Sequence, residues 1–260
     1  MNFKSILIAS SLAAVATIST TASAASVLGV SWDPDSNVDF TTTGVLWEQA
    51  PTNVINSTVT GYGAFSLFNN QTIATYGGGS KVLTFSFTTT LASFTPTSGT
   101  NGLFEYQGVN EGVGLSHVNV YSTDLANYDV TNLATQTLAN AQSGTLFLST
   151  SITAAGIQGL GLNFASPNAK SGTGNGWLEV VAGAAAAYFD TNTQLDPNNV
   201  LADFTFSSSF NQAPNQTPAG YPYTGTVTVT GQSNNVPEPT SIALLGLGLL
   251  GFGLRRRNQA

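Results

Sequence analysis

With six Lys and Arg against thirteen Asp and Glu in 260 residues, the chain is acidic, at a formal net charge of −7, yet sparsely charged. That balance repels phosphate backbones and argues against nucleic acid as a partner. The absence of cysteine excludes disulfides, thiolate nucleophiles and cysteine metal clusters, and a single histidine argues against a catalytic zinc.

The chain opens with a secretory signal peptide over residues 1–24. Lys4 supplies its positive start, and residues 6–18 supply an apolar stretch broken by Ser10, Ser11 and Thr17. Ala22-Ser23-Ala24 is a small-residue cleavage site, with the cut expected between Ala24 and Ala25. The stretch is too short and too rich in hydroxyls for a membrane-spanning helix. Export through the secretory translocon and processing by signal peptidase follow from it. One exported domain is expected over 25–231, followed by a linker over 232–236 and a C-terminal signal over 237–260. With both signals set aside, Lys81 and Lys170 face twelve acids, a net charge of −10. Without disulfides, this domain rests on its core alone, and its length suffices for one.

The exported region is β-patterned almost throughout. Leu83-Thr84-Phe85-Ser86-Phe87 and Thr226-Val227-Thr228-Val229-Thr230 alternate with period two, as half-buried strands do. Further strands are predicted over 44–48, 58–68, 103–107, 117–122, 145–150, 177–181 and 202–206. Gly77-Gly78-Gly79-Ser80, Pro96-Thr97-Ser98-Gly99 and Ser171-Gly172-Thr173-Gly174 read as turns between them. Segments 132–141 and 180–187 carry helical character but are too short to be stable alone. The expected fold is all-β, an antiparallel β-sandwich of jelly-roll type with one or two short helices.

Two stretches hold candidate calcium ligands. Asp33, Asp35, Asn37 and Asp39 place oxygens at alternate positions, as in the first half of a calcium loop. Val38 stands where such a loop turns on glycine, and Gly44 where it closes with glutamate, so an acidic turn is the plainer reading. Asp190, Asn192 and Asp196, with Asn198, form a second oxygen-rich stretch that Asx turns also explain. Calcium is thus the one cofactor these residues suggest. His117 has no nucleophile-elbow sequence to partner it. Glu105 and Glu111 have the chemistry of a glycosidase pair, but their spacing does not place them face to face. Among the aromatics, which include Trp32, Trp47 and Trp177, Tyr221 and Tyr223 around Pro222 are the best exposed candidates for stacking on a sugar. The domain is expected to be non-catalytic.

The tail combines three parts in fixed order. Pro237, Glu238 and Pro239 hold an open, extended segment because proline fixes its own φ and biases the residue before it. Residues 242–254 are an apolar run, and Arg255, Arg256 and Arg257 end it with positive charge that stays cytoplasmic. As a helix the run spans roughly 20 Å against a hydrocarbon core of about 30 Å. The glycines at 246, 248, 251 and 253 thin it further and permit close helix packing. Its contact with the membrane is therefore expected to be transient.

This arrangement resembles the PEP-CTERM sorting domain of Gram-negative bacteria. The resemblance implies cutting by the membrane enzyme exosortase. It also implies an inner-membrane-anchored precursor, then release or attachment at the cell surface or in the extracellular matrix. In the exported region, the stretch from Gly176 to Gln194, the strand at 202–206, Gly220-Tyr221-Pro222 and Trp32-Asp33-Pro34-Asp35 resemble flocculation-associated PEP-CTERM proteins. That second resemblance implies a role in cell aggregation, floc or biofilm formation, with exopolysaccharide or a neighbouring cell surface as partner, and it carries over no catalytic residue. A calcium-stabilised carbohydrate-binding module and a secreted glycan-active enzyme are the alternatives.

Overall fold

The computed structural model describes residues 24–34, 40–107, 117–163, 170–213 and 217–234. In chain order its strands are β1 (Ala25–Val27), β2 (Val30–Trp32), β3 (Phe40–Glu48), β4 (Thr58–Phe68), β5 (Gln71–Thr72), β6 (Lys81–Pro96), β7 (Gly102–Tyr106) and β8 (His117–Asp124). They continue as β9 (Thr145–Leu162), β10 (Ser171–Ala182), β11 (Gln194–Leu195), β12 (Leu201–Ala202), β13 (Phe204–Gln212) and β14 (Tyr223–Gly231). Three one-turn helices interrupt them: α1 (Ile73–Tyr76), α2 (Leu138–Ala141) and α3 (Ala186–Phe189). Segment 132–141 thus forms a 3₁₀ turn at Leu133–Thr135 and then α2, whereas 180–187 is shared between the end of β10 and α3. Among the described residues no helix is long and apolar enough to cross a membrane.

The all-β class holds, but the strands close into a barrel where the alternation predicts two packed sheets. Each stave pairs antiparallel with the next, and β14 returns to pair with β3. Strands β7 and β8 share one place in the ring: β7 pairs with the end of β6 and β8 with its beginning, and both pair with β9. The result is an up-and-down ring of eight staves, which removes the sheet edges that an open sandwich exposes. Period-two patterning says which side chains point inward. It does not say whether a sheet curls onto itself or onto a second sheet.

Small residues in the staves supply room for the aromatic ones. Gly61 lies opposite Phe87, Gly63 opposite Phe85, Gly159 opposite Phe104, Gly172 opposite Phe210, Gly176 opposite Phe206 and Gly231 opposite Phe204. In each pair the ring occupies the space that a Cβ on the glycine would enter, at 2.3–2.6 Å. This corrects the turn predicted at Ser171-Gly172-Thr173-Gly174, which instead opens β10 and pairs on both sides. A glycine in a strand here marks a close approach of a neighbouring ring rather than a break.

The two ends of the barrel differ. At one end, short connections over 49–57, 97–101, 163–170 and 213–222 join neighbouring staves. At the other, the longer connections carry α1, α2, α3 and the small hairpin β11–β12, and the hairpin β1–β2 joins them. Trp32 of that first hairpin and Phe189 of α3 plug this end. Their rings lie 5.0 Å apart, and Phe189 meets Phe40 at 4.9 Å, while Phe40 meets Phe204 at 4.6 Å. Such pairs each add about 0.5–1.5 kcal/mol beyond the area they bury. The Tyr76 hydroxyl donates to the Phe65 carbonyl at 2.7 Å and accepts from the Leu83 amide at 3.2 Å, tying α1 to two staves.

The first and last described segments both lie at the plugged end. Ala24 is exposed one residue before β1, and past β14 the Asn234 amide donates to the Tyr188 carbonyl at 2.6 Å.

Candidate functional site

The outer wall of the barrel has two unlike halves. Over β3, β4 and β6 the connection from β8 to β9 packs against the sheet. The Tyr62 hydroxyl donates to the Gln136 carbonyl at 2.7 Å, the Trp47 indole donates to Gln136 Oε1 at 3.0 Å, and Tyr62, Val82, Tyr128 and Ala141 form a small second core there. Over β10, β13, β14 and the adjoining edge of β3, the wall bears hydroxyls and amides instead.

Register fixes these groups in rows. Trp177, Thr205, Thr230 and Thr41 lie side by side across four staves, and Asn175, Ser207, Thr228 and Thr43 form the next row. A third begins with Thr173 and Ser209, where the Ser209 and Thr226 hydroxyls meet at 3.0 Å. Neighbouring staves are about 4.8 Å apart, so the hydroxyls repeat at that spacing. Each residue is half-buried or exposed. Trp177 borders a shallow depression that it shares with Asn175, Thr205, Ser207, Thr228 and Thr230. None of these residues is charged. An uncharged array of donors and acceptors beside an indole suits a neutral, hydroxyl-rich ligand.

At the plugged end of the same wall lies a group of acids. Glu179 follows Trp177 by two residues on the same face of β10, and its carboxylate meets those of Asp190 and Asp203 with ligand oxygens all within 4.8 Å of one another. Asp203 is fully buried and accepts backbone N–H bonds from Val180 at 2.7 Å and from Thr191 and Asn192 at 2.5 and 2.7 Å. It clamps the turn after α3 onto β10. Asp190 accepts from the Asn192 amide at 3.2 Å. Glu179 Oε2 is buried and has no hydrogen-bond partner among the described residues. Burial, then the charges of Asp203 and Asp190, push the Glu179 carboxyl up to about 7. A divalent cation would relieve that repulsion with oxygen ligands of the type calcium takes.

The sequence-predicted ligands fall elsewhere or only partly here. Asp33 is exposed, and Asp35, Asn37 and Asp39 lie outside the described residues. Of the second stretch, Asp190 joins the acid group, whereas Asn192 turns its amide nitrogen to Asp190. Asp196 folds back on its own turn, accepting from the Asn198 and Val200 amides at 2.8 and 2.9 Å. Glu179 and Asp203 escape a sequence reading because the barrel's register, not chain spacing, brings them to Asp190.

Tyr223, expected to stack on sugar, is 2% exposed with its side chain inside the barrel, so the stacking assignment is corrected for that residue. Tyr221 is half-buried with its ring edge-on to Tyr62 at 4.7 Å. Trp177 is the aromatic that the wall presents. Glu105 accepts from Ser93 at 3.3 Å, and Glu111 lies outside the described residues. His117 is half-buried at the start of β8, opposite Thr88 and Ser151.

Residues 235–257 match the PEP-CTERM protein-sorting motif. Pro237, Glu238, Pro239 and Arg255 to Arg257 fall within that match and, like Ala22, lie outside the described residues. No curated protein and no solved structure matches the chain.

Proposed function

We propose that this chain, which carries a PEP-CTERM sorting motif and is thereby an exported protein sorted by exosortase, is a non-catalytic surface or matrix protein. It associates with exopolysaccharide and neighbouring cells and so promotes aggregation, floc or biofilm formation. The observation that supports this reading is the uncharged hydroxyl wall with Trp177 in it. Neutral glycans present hydroxyls to hydrogen-bond and apolar ring faces to stack on an indole, and the rows offer both.

The test is co-sedimentation of the exported protein with exopolysaccharide from its own cells. Trp177→Ala and Thr228→Lys are each expected to reduce the bound fraction at least severalfold while circular dichroism stays unchanged. Equal binding by both variants would sink the assignment of the wall.

A second reading, calcium-stabilised carbohydrate binding, is favoured by the acid group beside Trp177, where one buried carboxylate oxygen has no partner among the described residues. Calcium is then expected to raise the melting temperature of the exported protein and not that of Asp190→Asn. An unchanged melting temperature in the parent protein at millimolar calcium rules it out.

A further inference from the structure

The barrel interior holds a cavity of about 80 Å³ beyond its aromatic plug. Its wall is mostly apolar, with Leu46, Val59, Phe65, Phe85, Phe206 and Val229 among the residues facing it. Glu48, Thr89, Ser208 and the phenol of Tyr106 break that lining, and Glu48 and Thr89 lie near the end where short loops join the staves. Glu48 closes β3, and Thr89 of β6 lies opposite Val59, the second residue of β4. Glu48 is 7% exposed; Thr89 is 3% exposed, and its buried hydroxyl has no partner among the described residues. Burying such groups costs free energy in a barrel that has otherwise packed its interior with aromatics.

We infer that this cavity is a binding site for a small neutral amphiphile, an aliphatic alcohol in chemical class, with its apolar body against the phenylalanines and its hydroxyl on Glu48 and Thr89. The inference is independent of the polysaccharide reading, since it concerns the inside of the barrel and not its wall.

Three features support this occupant over water alone and over a charged ligand. One water needs about 10–15 Å³ and two to four polar partners, so the volume admits several waters but the mostly apolar lining satisfies few of them. Burial pushes the Glu48 carboxyl up to about 8, so at neutral pH it is an uncharged acid that donates one hydrogen bond and accepts another, as an alcohol does in return. The titratable groups that sense Glu48 are the phenols of Tyr106 on β7 and Tyr223 on β14. Burial is the main cause that raises both, so they stay neutral as well. The nearby cation Lys170 donates to the carbonyl of Pro51, which also faces the cavity. An eight-staved barrel has the width to fill its interior with side chains or to hold one small ligand, and here it does the first at one end and leaves room for the second at the other.

The test titrates 1-hexanol into the exported protein, purified without detergent from its producing cells, and follows heat and intermolecular nuclear Overhauser effects. Saturable one-site binding is expected at pH 6, with contacts from hexanol to the methyls of Leu46 and Val229. The double variant Glu48→Leu, Thr89→Val is expected to weaken it about tenfold, the equivalent of losing a buried hydrogen bond. Val229→Trp, which fills the space, is expected to abolish it. Raising the pH to 9.5 is expected to weaken binding, because the ionised carboxylate then holds water in the cavity. No saturable heat in the folded parent protein overturns the proposal, as do contacts confined to surface methyls. Where Val229→Trp fails to fold, the contacts in the parent protein decide the matter.

Discussion

The two ends of the barrel's interior are built from the same alternating staves, yet one is solid and the other hollow. At the plugged end, Trp32 and Phe189 enter from outside the ring and fill the space between Phe40, Phe68, Phe147 and Phe204. At the loop end, Pro51 is the one lining residue from outside the staves among the described residues, and Glu48 and Thr89 face the space that remains. The lesson is that inward residues set the lining of a barrel, while elements outside the ring decide whether it is filled.

Removing the plug should produce the largest effect. Trp32→Ala is expected to cost about 3–5 kcal/mol, the range for a large buried aromatic, read as a lower midpoint in urea denaturation. A loss below 1 kcal/mol would mean that the plugged end is no more essential than the hollow one.

The opposite sign is expected at the hollow end. The Glu48 carboxyl has an ordinary value of 4.5 and a folded value of about 8. Below pH 4.5 it is protonated in both states and costs nothing. Between 4.5 and about 8 only the unfolded chain releases the proton, so stability falls as pH rises through that window and then levels off. Glu48→Gln is therefore expected to stabilise the protein at pH 7 by about 3 kcal/mol and to flatten this slope. A parent protein whose melting temperature does not change between pH 5 and 8 would contradict the buried carboxyl.

Between these extremes lie the staves themselves. A Cβ on Gly63 would meet the Val45 carbonyl at 1.9 Å and the Phe85 ring at 2.6 Å. Gly63→Ala is expected to destabilise by about 1–3 kcal/mol through forced backbone movement. Smallest of all is the outer wall, where Trp177→Ala should cost under about 1 kcal/mol, as expected of a half-buried surface residue. Polysaccharide binding lost without loss of stability would separate the wall from the core.

Much of this architecture is legible in the chain. The segment 58–68 coincides with β4, and the alternations at 83–87 and 226–230 fall within β6 and β14. The closure of the ring is not legible, because pairing β14 with β3 joins residues nearly the whole domain apart. The glycines at 172 and 174 are misread as a turn for a related reason, since the ring that covers Gly172 comes from another strand. Of the candidate sites, Asp190 and Trp177 are visible as chemistry, but their neighbours are chosen by register.

What the sequence determined by itself is local: the sorting motif near the C-terminal end, the β class, the acidic cysteine-free character and the inward and outward alternation within its clearest strands. These follow from composition, order and period two, which need no partner strand. The tertiary structure decided the rest: a barrel rather than a sandwich, Tyr223 buried, Glu179 and Asp203 beside Asp190, and an acid at the end of an apolar cavity. Each of these depends on which strands lie side by side and where the ring closes, and pairing across a closed ring is a non-local choice.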